Sequence, residues 1–130
     1  MGYLLDTDTC IWFLRQREPV YTRVQRESPD DLRIASMTLA ELYYGALNSS
    51  DPAAAAARID QFLGAGIGVL PFDEAAAAEH AAHRFALRAA PIGERDLVIA
   101  STATSTGHML VTGNTREFER VPGLDVTRWS

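Results

Sequence analysis

Apolar residues in this chain come in two rhythms. Short continuous runs alternate with longer stretches in which apolar positions recur at helical spacing. The first run, Tyr3-Leu4-Leu5, ends in Asp6 and predicts a strand buried on both faces, as at the centre of a parallel sheet. Thr7 or Asp8 is placed to cap a helix carrying Ile11, Trp12 and Leu14. Within the polar stretch 15–31, Pro19 opens a short helix with Val20 and Val24 on one face. Leu32–Ala35 reads as a second strand. Residues 38–47 read as a helix with Leu39, Leu42, Tyr43 and Leu47 on its apolar side. Asp51-Pro52 is an N-cap followed by proline at the first helical position. That helix runs to Leu63, where Gly64 and Gly66 end it.

The second half repeats the alternation. Residues 67–72 predict a third strand, and Asp73 caps an Ala-rich helix that runs to about residue 90, before Pro91. Residues 93–105 predict another helix, with Leu97, Val98, Ile99 and Ala103 inside and Gly107 closing it. Residues 109–112 form a fourth strand, Gly113-Asn114 turns the chain, and a helical turn over 116–118 precedes a last strand near Val126. Strands alternating with helices predict one three-layer α/β domain over 1–130 with a mainly parallel sheet. No linker, repeat or second domain stands out.

Composition narrows the class. The chain has 130 residues, 47% of them apolar, enough for a real core. No stretch approaches the roughly 18 consecutive apolar residues of a membrane span. The opening reads as a strand carrying Asp6 and Asp8, not as a secretory leader. The single cysteine, Cys10, excludes an internal disulfide, reads as a small buried hydrophobe and fits a cytoplasmic protein. The net charge of −5 argues against a non-specific nucleic-acid binder. All 12 cations are arginine, which tracks the Ala-rich tracts as a compositional bias.

Three acids share one pattern. Asp6 ends the first strand, where ligands bind in open α/β sheets. Glu41 and Asp96 fall in the first turns of predicted helices, where partial positive charge stabilises carboxylates. Carboxylates gathered in one pocket resist ionisation unless a cation joins them, and Mg2+ or Mn2+ suits an all-oxygen site. Each acid also has a structural reading: Thr38 with Glu41 spells a capping box, and Asp96 suits any helix start. Glu79-His80-Ala81-Ala82-His83 lacks the order of zinc proteases and reads as a surface helix face.

The motifs are nevertheless recognisable together. Leu4-Leu5-Asp6-Thr7-Asp8, the block from Thr38 to Gly45, Ile92-Gly93 with Asp96-Leu97-Val98-Ile99-Ala100, and Leu110-Val111-Thr112 with Asn114-Thr115-Arg116-Glu117-Phe118 appear in order. Val121-Pro122-Gly123-Leu124 and Trp129 close the series. This set resembles the PIN-domain ribonucleases, and within them the VapC toxins of bacterial toxin–antitoxin pairs. The resemblance implies a Mg2+- or Mn2+-dependent endoribonuclease that cuts RNA, such as tRNA or rRNA loops, with metal-activated water. It makes Asp6, Glu41 and Asp96 the catalytic acids, with Asp6 and Asp96 as direct metal ligands. Glu41, Asp8, Asn114 and Glu117 are auxiliary candidates, and Arg116 and Thr112 are candidates for RNA contact. Thr112 could also hydrogen-bond a core carboxylate, although ordinary strand packing is the favoured reading. Many relatives carry Asn where this chain has Gly113. The resemblance further implies a VapB-type antitoxin partner, a homodimer and a larger complex with the antitoxin; the acidic charge would attract a basic inhibitory tail.

Two rivals remain at this point. Asp6-Thr7-Asp8-Thr9-Cys10 looks like the opening of a haloacid-dehalogenase phosphatase, although the chain has no lysine for the usual later motif. A non-catalytic PIN-like RNA-binding module is the other.

Overall fold

The computed structural model describes residues 2–130. Five strands form one all-parallel sheet in the order β3-β2-β1-β4-β5. They are β1 (Tyr3–Leu5), β2 (Leu32–Ala35), β3 (Gly68–Leu70), β4 (Met109–Val111) and β5 (Val126–Thr127). The helices are α1 (Thr7–Leu14), α2 (Val20–Arg26), α3 (Ser36–Leu47), α4 (Pro52–Gly64), α5 (Glu74–Ala86), α6 (Glu94–Thr106) and α7 (Thr115–Phe118). A short 3-10 turn at Pro29–Asp31 leads into β2. Among the described residues no helix is long and apolar enough to cross a membrane.

Period-two alternation along the short central strands builds two cores. Leu5, Leu32, Ile34 and Val111 face one cluster with residues of α1 to α4, including Cys10, Val24, Leu42 and Phe62. Leu4, Ala35 and Leu110 face the other, with Leu97, Ile99, Ala100, Ala103 and Phe118 from α6 and α7. α5 packs against α6 on that side. The central position of β1 explains why its apolar run shows no polar face.

This topology also fixes where chemistry can sit. From β1 the chain winds outward through β2 and β3, then returns to add β4 on the opposite side. The strand order therefore reverses between β1 and β4, and a crevice opens beyond their carboxyl ends. Asp6 follows β1 there and Thr112 follows β4.

Several expected boundaries move. Asp6, not Thr7 or Asp8, caps α1: its Oδ1 accepts from the Thr9 N–H at 2.9 Å. α3 starts at Ser36 directly out of β2, so Thr38 lies inside the helix and no capping box forms; Ala35 is the N-cap and contributes no side-chain bond. Glu41 consequently occupies the second turn. α5 stops at Ala86, because Leu87 turns inward to the second core and caps the helix. Tyr43 and Leu47, both expected on the apolar side of α3, are 37% and 73% exposed. His83 is buried between α5 and α6, its Nε2 2.9 Å from the Thr104 hydroxyl, while His80 contacts Glu94 at 3.0 Å. The caps at Asp51 and Asp73 and the left-handed Gly107 stand as the sequence predicts.

Gly113 has a steric reason to be glycine in this chain. A Cβ built on it would lie 2.6 Å from Cη2 of Trp12, and a real Cβ does not approach that closely. The indole of α1 thus occupies the space a side chain would need. Gly113→Asn is expected to destabilise the protein by about 1–3 kcal/mol, the usual range for overpacking. Adding Trp12→Phe should recover part of that loss. Denaturant melts of the two single variants and the double variant check this coupling; strict additivity would show that the two positions do not interact.

Candidate active site

Asp6 is the buried member of the site. Its backbone N–H donates to the Val111 carbonyl at 3.0 Å, which ties the end of β1 to the end of β4. Its side chain caps α1 through Thr9, and the Thr9 hydroxyl reaches the Val111 carbonyl at 3.2 Å. The Thr112 side chain lies beside the Asp6 carboxylate and favours its charged form. Thr112 itself is 1% exposed, and its Oγ1 accepts from the Asn114 N–H at 3.0 Å. It is therefore placed to orient Asp6 rather than to meet RNA. Burial pushes the Asp6 carboxyl above its ordinary value, and Thr112 and Thr9 pull back against that shift.

Glu41 reaches the same region from α3. The Thr7 hydroxyl donates to its Oε1 at 2.8 Å and lies 3.2 Å from the buried Thr38 hydroxyl. This chain of hydroxyls connects the start of α1 to α3 and fixes one carboxylate oxygen of Glu41. The other, Oε2, lies 3.8 Å from Nη1 of Arg95. Arg95 was not singled out by the sequence.

Asp96 completes the group from the first turn of α6. Its carboxyl is raised above the ordinary value, first by burial and then by the negative charges of Asp6, Glu41, Asp8 and Glu117. Helices α3 and α6 touch, and that packing brings Glu41 and Asp96 to one side of the crevice. Among the described residues no three acidic, histidine or cysteine side chains already form a compact coordination cluster. What the fold assembles is a set of acids acting on one another across the end of the sheet.

The remaining candidates lie around this centre. Asp8 and Asn114 are exposed, and Glu117 is half-buried, 3.6 Å from Arg120. Arg116 is exposed on α7. Cys10 is fully buried, its thiol pushed well up by burial and then by Asp6, which leaves it a packing residue. A groove of about 520 Å³ runs between α1, α3 and α4, lined by Ile11, Leu14, Leu42 and Ile59 with Arg15 and Glu41 at its side. An adjoining groove of about 450 Å³, lined by Phe13, Tyr21, Val24 and Phe62, holds none of the candidate site acids.

Known proteins share this arrangement of chain and fold. The model of the PIN domain matches residues 3–124. A tRNA(fMet)-specific endonuclease VapC from Shigella flexneri is 38% identical over 100% of this chain and 99% of its own length. Ribonuclease VapC2 from Haemophilus influenzae (strain ATCC 51907 / DSM 11121 / KW20 / Rd) is 35% identical over 99% of this chain and 98% of its own. Among solved structures, DNA-bound VapBC from Salmonella typhimurium superposes with a TM-score of 0.92 at 35% identity, covering 100% of this chain and 99% of that one. VapBC2 from Rickettsia felis, bound to a promoter DNA fragment, superposes with a TM-score of 0.91 at 29% identity and complete coverage of both chains. The chain belongs to the PIN-domain family, and within it to the VapC ribonucleases. The phosphatase alternative rested on the first few residues alone, and a family match across the domain takes its place.

The crowding of acids has a thermodynamic signature. Asp6 and Asp96 have raised folded-state values, so each opposes folding once the unfolded chain would ionise it, from about pH 3.9 upward, and the effect levels off above the folded value. Asp96→Asn keeps the shape and removes one charge. In chelator at neutral pH this variant is expected to be at least as stable as the wild type, with the difference vanishing below the unfolded value. A loss of about 0.5–2 kcal/mol instead would identify Asp96 as a helix-start residue with no strain to relieve. Thermal melts across pH 3–8 measure it.

Proposed function

We propose that this protein is a divalent-metal-dependent endoribonuclease, the toxin of a toxin–antitoxin pair, acting in the cytoplasm. The observation that carries the catalytic reading is the placement of Asp6, Glu41 and Asp96 around the switch point of the sheet, where burial first and then the charges of the other acids raise the Asp96 carboxyl. An all-carboxylate donor set matches a hard cation, Mg2+ or Mn2+, and not a thiolate- or imidazole-bound metal. Asp6 and Asp96 would hold the ion, with Glu41 beside them and Asp8, Glu117 and Asn114 as outer candidates. When bound, the ion makes water a competent nucleophile near neutral pH and offsets charge on the leaving oxygen.

The chain's own residues do the positioning. Thr112 and the Thr9 N–H hold Asp6 in one orientation, and Thr7 does the same for Glu41. Oε2 of Glu41 is then the acceptor that orients the attacking water. Water adds at phosphorus as one P–O ester bond breaks, leaving one phosphate-terminated and one hydroxyl-terminated RNA end. The relatives named for tRNA(fMet) make initiator tRNA the first substrate to test.

The partner is a VapB-type antitoxin, as in the VapBC neighbours. The groove between α1, α3 and α4 supports this: it is apolar enough for a helix, and Glu41 on its side lets a basic residue of the occupant reach the acids. A homodimer is supported by Tyr44 and Leu47, which project from the end of α3 with 68% and 73% exposure.

Two measurements test this reading. Purified protein is expected to cleave initiator tRNA in Mg2+ or Mn2+, to stop in excess chelator, and to lose the activity on Asp96→Asn. Cleavage that persists in chelator would remove the metal from the mechanism, and binding without cleavage under every condition would favour the non-catalytic module. Leu47→Arg is expected to shift the free protein from dimer to monomer in analytical ultracentrifugation, whereas an unchanged mass would place the dimer contact elsewhere.

A further inference from the structure

RNA reaching this site meets several carboxylates on a protein of net charge −5. Each arriving phosphodiester adds to the repulsion unless a cation on the rim offsets it. Among the described residues, Arg95 is the one cation in an ion pair with any of Asp6, Asp8, Glu41 or Asp96. It directly precedes Asp96 in the first turn of α6, and its side chain is 74% exposed. The separation from Glu41 is 3.8 Å, well beyond the roughly 2.7–2.9 Å of a charge-assisted hydrogen bond. An exposed pair at that distance adds little to folding. Glu41 therefore keeps the guanidinium nearby without consuming its donors.

Several other arginines are committed to the fold. Arg23 pairs with Glu27 at 3.0 Å and lies over the Trp129 ring. Arg33 donates to the carbonyls of Asp30 and Leu32, and Arg88 to that of Phe85. Arg120 contacts Glu117 and the Ala90 carbonyl. Arg95 has no such anchor and stands at the junction of α3 and α6, beside two of the three core acids. A guanidinium is suited to phosphate because its planar fork matches two oxygens at once.

We propose that Arg95 is an RNA-phosphate ligand of this nuclease, exchanging Glu41 for the phosphate of a nucleotide that flanks the cleaved bond. This assignment rests on the endoribonuclease reading above. Arg95 is thus a binding and positioning residue, distinct from Arg116 on α7.

The test uses the whole chain with Arg95→Ala and Arg95→Lys. Binding of fluorescein-labelled total tRNA is followed in chelator, where no cleavage intervenes, over a series of salt concentrations. Cleavage kinetics in Mn2+ are measured in parallel. Arg95→Ala is expected to weaken binding about ten-fold at low salt. It should also reduce the slope of log affinity against log salt by about 0.7, the value for one single-strand phosphate contact. KM should rise more than kcat falls. Arg95→Lys should restore the slope, since the charge returns, but only part of the affinity, since the fork does not. Wild-type affinity and slope in Arg95→Ala, with wild-type cleavage intact, would overturn the assignment and make Arg95 a mere counter-ion of Glu41. A wild-type protein that neither binds nor cuts RNA would overturn the endoribonuclease reading, and this assignment with it.

Discussion

A carboxylate almost out of water, Asp6, is the constraint around which the rest is arranged. It follows the central strand, caps the first helix, bonds through its backbone to β4 and lies beside Thr112. Burial disfavours the charged form of such a group, and its polar neighbours only partly offset that cost. The fold then sets Asp96 where burial and the charges of Asp6, Glu41, Asp8 and Glu117 all disfavour its ionised form. In a purely structural protein this crowding would be a defect with nothing in return. It makes sense as a pocket whose energy improves when positive charge enters, whether a cation, a basic residue of a partner, or both in turn.

The architecture was legible because β-strand and helix periods differ so clearly in this chain. The all-apolar Tyr3-Leu4-Leu5 could only be a strand covered twice, and β1 lies at the centre of the sheet with Leu4 and Leu5 in opposite cores. Asp51-Pro52 and Gly107 marked helix ends by local stereochemistry, which tertiary packing left alone. Where packing intervened, the letters misled. Thr38 and Glu41 spell a capping box, yet the chain passes from β2 into α3 without a loop, so the box lies a turn too late. The Ala-rich α5 offers little contrast between its faces, so nothing marked His83 as buried against Thr104. Tyr43 and Leu47 looked like core because they keep the spacing of Leu39, but the buried face of α3 runs through Thr38, Leu42 and Ala46 instead.

The candidate site shows the same division. Asp6, Glu41 and Asp96 drew attention through their places at a strand end and in helix starts, which are local properties. Asp6 and Asp96 do lie at such places, and Glu41 arrives from the second turn instead. Thr112 was named as a possible partner for a core carboxylate, but Thr7 and Thr9 were harder to see, since they acquire their roles only when α1, α3 and β4 meet. Arg95 was invisible for a further reason. An arginine between two acids at the start of a helix is unremarkable in sequence, and its meaning depends on the contact between α3 and α6 that brings Glu41 within reach.

The sharing of β1 between two cores reaches beyond packing. Leu4 is pressed by the helices of one side and Leu5 by those of the other, while the next residue in the chain is Asp6. The short strand therefore behaves as a partition wall between two rooms, with the candidate catalytic carboxylate mounted on its end. A void opened in either room leaves the pressure on that wall unequal and tilts what it carries. Lesions on opposite faces of the molecule, far from each other and from RNA, thereby share one route to lost activity, through the aim of a single side chain.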